Sequence, residues 1–173
     1  MTQSPEIAQQ VVSYIRHQAA KGLLELAALM ERTGAECARC LEDTSDAQAG
    51  FRYGEEWSIK EVVGHILGSS SAINREIAGL AAGKEPSPPG RTGLTAGGDR
   101  PIEELRLALA DLWAETGRLV ASLPEDGNLE RTWDHPWFGP LNFKEWIAFQ
   151  RLHALDHLIQ MERLKEHPDY PEA

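Results

Sequence analysis

Asn142–Leu164 reads NFKEWIAFQRLHALDHLIQMERL, with neither Gly nor Pro to interrupt a helix of about six turns. Asn142 can cap the first turn, and Glu145 three residues later completes a capping-box pattern. At 100° per residue, Phe143, Trp146, Ile147, Gln150, Ala154, Leu158, Met161 and Leu164 share one broad face. His153 and His157 lie within it, four residues apart and so one above the other. A buried polar group without a partner costs about 1–3 kcal/mol, so two imidazoles in an apolar stripe call for an explanation. They are either core histidines bonded to carbonyls or carboxylates, or two ligands of one metal ion.

A ligand pair invites a search for a third. Of the six histidines, His17 lies in the N-terminal segment, His135 in a loop beside Pro136, and His167 in the tail. His135 reads as a surface residue rather than a ligand. His65 remains, in WSIKEVVGHIL, and its setting repeats the first one. Ser58 is a candidate N-cap with Glu61 three residues on, and Trp57 and Val62 can form a hydrophobic staple around them. The core stripe of this helix is Ile59, Val62, Ile66, Ile73, Ile77 and Leu80, with His65 on its edge.

Moving outward, residues 5–41 read as a first long helical region, with Ser4 as cap, Pro5 in the first turn, and Gly22 and Gly34 as possible breaks. A polar connection leads to a second helix over residues 58–82, which stops before Gly83 and a Gly/Pro-rich stretch to Arg100. That second helix is about 37 Å long at 1.5 Å per residue. An extended segment of about 18 residues reaches up to about 60 Å, enough to return along the bundle and start a parallel helix. A third helix begins near Pro101, with a stripe of Ile102, Leu105, Leu109, Leu112, Thr116, Leu119 and Leu123, and ends at Pro124. The loop before the last helix gathers Trp133, Trp137 and Phe138, which suit a cover over the mouth of a bundle. No strand alternation stands out. The expected architecture is all-α: one domain over residues 1–173, a four-helix bundle with a long crossover between helices two and three.

The last helix is apolar on a second side as well, through Ala148, Phe149, Leu152, Leu155 and Ile159. That side must be covered by the N-terminal region or by a second subunit, and the expectation is a homodimer. Cys37 and Cys40 form CARC inside a helix, where small buried residues are a better reading than a redox pair. A net charge of −10 argues against nucleic acid and anionic lipid as partners. No apolar run is long enough to span a membrane, and MTQSPEIAQQ lacks the basic and apolar regions of a secretory signal, so the expected location is cytoplasmic.

The motifs together resemble those of the DinB-like superfamily of four-helix bundles. WSIKEVVGHIL and FGPLNFKEWIAFQRLHALDH carry the resemblance, which spans roughly residues 20 to 165; the segment before about Lys21 departs from the family pattern. The resemblance implies a crossover between helices two and three, frequent dimers, and a metal held by His65, His153 and His157, all three of which this chain keeps. It also implies a range of activities: metal-dependent hydrolysis, thiol transfer with bacillithiol or glutathione, and mycothiol-dependent isomerisation. Three neutral imidazoles leave a divalent ion, Zn or Ni, at least one open position. There it lowers the pKa of a water or a low-molecular-weight thiol, which permits hydrolysis or thiol transfer on a small molecule. Gln150, one turn before His153, is the polar candidate for orienting a bound ligand, whereas Asp156 points away on the wheel. The alternative is a non-catalytic, stress-associated protein in which the metal only braces the bundle.

Overall fold

The computed structural model describes residues 5–88 and 97–172, so Ser4 and the middle of the Gly/Pro-rich connection lie outside the described residues. Six helices and one hairpin follow in order: α1 Pro5–Ala19, α2 Leu23–Leu41, α3 Asp46–Ala49, α4 Ile59–Ala81, α5 Ile102–Ser122, β1 Trp133–His135, β2 Gly139–Leu141 and α6 Phe143–Lys165. The two capping boxes anticipated from sequence are present. Ser58 accepts from the Glu61 amide while Glu61 accepts from the Ser58 amide, and Asn142 and Glu145 do the same at the start of α6. A third box, Ser45 with Gln48, starts the short α3, where sequence suggested only a polar connection.

Helices α2, α5, α4 and α6 form the bundle, each packed on the next and α6 on α2. Contacts at their ends fix the directions. Arg106 of α5 donates to the Leu41 and Thr44 carbonyls at 3.0 and 2.6 Å, so α5 begins where α2 ends. The Leu23 amide donates to Glu125 Oε1 at 2.7 Å, so α2 begins where α5 ends. Lys165 Nζ donates to the Cys40 carbonyl and, at 2.8 Å, to Thr44 Oγ1, which sets the end of α6 beside the end of α2. Both cations lie where the negative end of the α2 dipole favours them. The Asn128 amide, just after α5, donates to the Ala81 carbonyl at the end of α4. Gly97, before α5, sits so close to the first turns of α4 that an added Cβ would lie 2.7 Å from the Lys60 carbonyl oxygen. Helices α4 and α5 therefore run parallel, and the chain crosses the length of the bundle between them, as the length of the connection predicts.

The core is one apolar cluster. Ile15, Leu23, Leu26, Met30, Leu41, Ile59, Ile66, Ile77, Leu80, Leu105, Leu141 and Phe143 are its largest fully buried side chains. At about 25 cal/mol per Å², full burial of each such side chain contributes about 1.5–3 kcal/mol, and none of them belongs to the histidine site described below. The N-terminal helical region breaks at Ala20–Gly22, while Gly34 continues within α2. The freed α1 packs on α6, and Arg16 Nε pairs with Glu145 Oε1 at 3.2 Å. Helix α6 is thus flanked by α4, α2 and α1, which accounts for its two apolar sides. Of the second stripe, Ala148 and Phe149 are buried, Leu152 and Leu155 half-buried, and Ile159 is 47% exposed.

Strands were not anticipated. Trp133 pairs with Leu141 and His135 with Gly139 in an antiparallel hairpin whose turn relies on Gly139 at φ 73°. Trp133 and His135 are buried and Asp134 between them is exposed. The hairpin is locked to α6 by the Trp146 indole, whose Nε1 donates to the Trp133 carbonyl at 3.1 Å. No described helix is long and apolar enough to cross a membrane.

Candidate metal centre

His65 comes from the second turn of α4, and His153 and His157 from successive turns of α6. The packing of α4 on α6 brings them together: His153 Nε2 lies 3.1 Å from His65 Nε2 and 3.1 Å from His157 Nε2. One ligand atom from each of the three lies within 4.8 Å of the others. Nitrogens 3.1 Å apart, each about 2.0–2.1 Å from one ion, subtend roughly 95–102°, between the octahedral and tetrahedral angles.

Hydrogen bonding alone cannot satisfy this cluster. His157 Nδ1 lies 2.8 Å from Gln160 Oε1, an acceptor, so the neutral ring carries its proton on Nδ1 and a lone pair on Nε2. A protonated His153 Nε2 can donate to one neighbour only and has no lone pair left for the other, whereas an unprotonated one turns its lone pair on that of His157. A cation accepts all three lone pairs at once, so the donor set fits a divalent metal. Burial favours the neutral form of His65 and His153. It lowers the pKa of His65 to about 4, with the nearby His157 adding to the effect, and that of His153 to about 3, with His157, His65 and His135 adding. Among the described residues the buried Nδ1 atoms of His65 and His153 have no partner, and of the three rings only His157 has the outer hydrogen bond that usually orients a ligating imidazole.

The three nitrogens lie on a cavity of about 550 Å³, within the range for small-molecule sites. Its walls are aromatic: Trp57, Trp133, Trp137, Trp146 and Phe149. Trp57 packs 5.0 Å from His65 and 6.2 Å from His157, and Phe149 stacks 5.5 Å from His153. The aromatics of the loop do cover the mouth of the bundle, by way of the hairpin.

His135, expected at the surface, is 9% exposed and lines this cavity. Its Nδ1 accepts from the Trp137 and Phe138 amides at 3.2 and 3.3 Å, so the neutral ring carries its proton on Nε2. Phe138 stacks on the ring at 4.6 Å, Phe149 meets it edge-on at 4.5 Å, and burial lowers the His135 pKa to about 4. His135 is therefore a fixed, neutral donor beside the three-histidine cluster. The His-Pro pair was the visible signal, but only the unforeseen hairpin turns that residue inward.

Gln150 does not line the cavity. It is fully buried and donates to Asn74 Oδ1 at 3.2 Å; Asn74 in turn donates to Thr116 Oγ1 at 2.8 Å. It belongs to a polar chain linking α6, α4 and α5 inside the bundle. Asp156, by contrast, does line the cavity, though the wheel turned it away from the histidines. CARC lies in α2 with Cys37 buried, and burial pushes its thiol up to about 12, an inert core thiol.

No curated protein matches the chain in sequence. Among solved structures, it is similar to YfiT from Bacillus subtilis, described as a probable metal-dependent hydrolase with an unusual four-helix bundle topology. The two share 15% identity at a TM-score of 0.63, over 82% of this chain and 85% of that one. The family model of the DinB superfamily matches residues 29–161, and the chain belongs to that superfamily.

Proposed function

We propose that this protein is a metal-dependent enzyme that holds a divalent ion, zinc or nickel, on His65, His153 and His157 and acts as a hydrolase on a small molecule. The observation that carries the reading is the convergence of three Nε2 atoms on a cavity large enough for a substrate. A bracing ion would need no such space. The description of YfiT as a probable metal-dependent hydrolase points the same way. An ion bound there would act as a Lewis acid and lower the pKa of a water, or of a low-molecular-weight thiol, in its open position.

The chain's own residues supply the rest. Gln160 fixes the His157 ring with its Nε2 lone pair free. Trp57, Trp133, Trp146 and Phe149 exclude bulk water, which strengthens every polar interaction inside. His135 Nε2–H offers a hydrogen bond to a substrate oxygen without carrying charge. Thiol transfer uses the same open position and is the competing outcome of the test.

The test is to load the protein with zinc or nickel, measure bound metal, and assay simple amides and esters beside thiol-plus-electrophile pairs. One equivalent of metal with hydrolysis that chelation abolishes is the expected result. Turnover only with a thiol would replace hydrolysis by thiol transfer. A metal-free protein that is unfolded would make the ion structural and overturn the enzymatic reading.

A further inference from the structure

The charges around the cavity are one-sided. Among the described residues no Lys or Arg lines it, whereas Asp134 and Asp156 do, both exposed and neither in an ion pair. Trp137, between hairpin and solvent, is 71% exposed yet also lines the cavity, so an indole face stands at the mouth beside the carboxylates. Deeper in, Trp133 and Trp146 pack at 4.5 Å with their planes tilted by 35°, and Phe149 meets Trp146 edge-on at 5.4 Å, so the walls are aromatic. His135, nine-tenths buried, presents an Nε2–H with no acceptor among the described residues.

From this arrangement we propose that the ligand of the site is a flat, apolar molecule with an oxygen or sulfur donor at one end and an ammonium group at the other. The donor end meets the three histidines and His135; this part of the proposal rests on the metal reading above. The body lies along Trp133 and Trp146. The ammonium end lies at the mouth, where the Trp137 ring attracts a cation through its quadrupole and Asp134 and Asp156 through their charge. The overall charge of −10 adds a field of the same sign. A thiol bearing carboxylates, such as glutathione, would bring its negative groups to two unpaired aspartates with no cation to receive them, so the cavity discriminates against it.

Three isosteric probes test the proposal on the zinc-loaded protein: 4-(aminomethyl)benzohydroxamate, 4-methylbenzohydroxamate and 4-carboxybenzohydroxamate, titrated by tryptophan fluorescence. The expected order is ammonium, then methyl, then carboxylate, with the two extremes at least about tenfold apart at low salt. The gap narrows in about 1 M salt, where the screening length falls to about 3 Å. It also narrows in the Asp134→Asn, Asp156→Asn double variant, whose changes lie on exposed side chains. Equal affinities, or tighter binding of the carboxylate, would overturn it. If the protein takes up no zinc, the metal reading fails separately. Benzylammonium against benzoate on the metal-free protein then decides the proposal: a preference for the cation upholds it, and none refutes it.

Discussion

Of the three histidines, His153 is the shared vertex, 3.1 Å from each of the others, so His153→Ala should remove the centre most completely. Loss of a partner outside the ligand shell typically costs 10–100-fold in metal affinity, so loss of a ligand should cost at least about 100-fold. The consequence for stability follows from linkage. With free zinc at 100 times the wild-type dissociation constant, binding stabilises the folded state by about 2.7 kcal/mol. For a chain of 150–250 residues, each kcal/mol shifts the melting temperature by about 2–4 °C, so zinc should raise it by about 5–11 °C. At that same concentration, zinc is at or below the variant's weakened dissociation constant. It gains no more than about 0.4 kcal/mol, a shift of 1–2 °C at most. Without metal the variant should still fold, because the missing ring borders an existing cavity and the cost, about 1–3 kcal/mol, is small beside a total of about 5–15. Circular dichroism, thermal melts with and without zinc, and metal analysis on one preparation read all of this. If His153→Ala keeps a full equivalent of zinc and the wild-type thermal shift, the three nitrogens are not a metal site.

Gln160→Leu removes the acceptor that orients His157 and should weaken metal binding by about 10–100-fold with the helix intact, as competition against a chromophoric chelator would measure. The metal-free protein should lose stability as pH falls below 6.5, the ordinary histidine value, and keep losing it toward pH 3–4. The folded pKa values of His65, His135 and His153 are depressed to between about 3 and 4, so the unfolded chain binds more protons across that window and stability rises with pH. Urea midpoints measured at intervals through that range check the sign; a midpoint highest near pH 4 would contradict it. The half-buried Leu152 and Leu155 with exposed Ile159 are the part of the second α6 stripe that α1 leaves open, and we propose them as a homodimer contact. Leu152→Glu should then give monomer in sizing with light scattering, and an unchanged dimer would place the contact elsewhere.

The bundle was legible because its signals are local and repeated. Capping boxes mark the starts of α4 and α6, apolar residues recur at helical spacing, and the length of the connection before α5 permits one geometry well, the crossover. Two features were illegible for physical reasons. The break between α1 and α2 falls at Gly22 while Gly34 stays helical, and propensity ranks the two glycines alike. What differs is tertiary: Gly34 lies against Trp113, where an added Cβ would come within 2.7 Å of the tryptophan Cβ, so close helix packing demands glycine there without any break. The hairpin escaped because strands of three residues are too short to show alternation.

The site divides along the same line. Its three histidines were readable, since the four-residue spacing of His153 and His157 and the position of His65 on α4 depend only on helix geometry. The cavity was not, because a helical wheel gives each side chain an angle but not what occupies the space facing it. Gln150 and Asp156 show the difference. Gln150 shares the broad face with His153, yet its sector meets Asn74 of α4 and not the cavity. Asp156 lies off that face, yet the hairpin and α6 together leave its sector open to the cavity mouth. His135 makes the point most sharply: its direction is set by the amides of Trp137 and Phe138 across a turn that no periodicity announces. The three histidines are therefore placed by the two long helices, which the superfamily match covers almost entirely, whereas part of the wall facing them belongs to a short hairpin laid over those helices. Exchanging residues 133–141 should alter what binds and leave whether metal binds untouched.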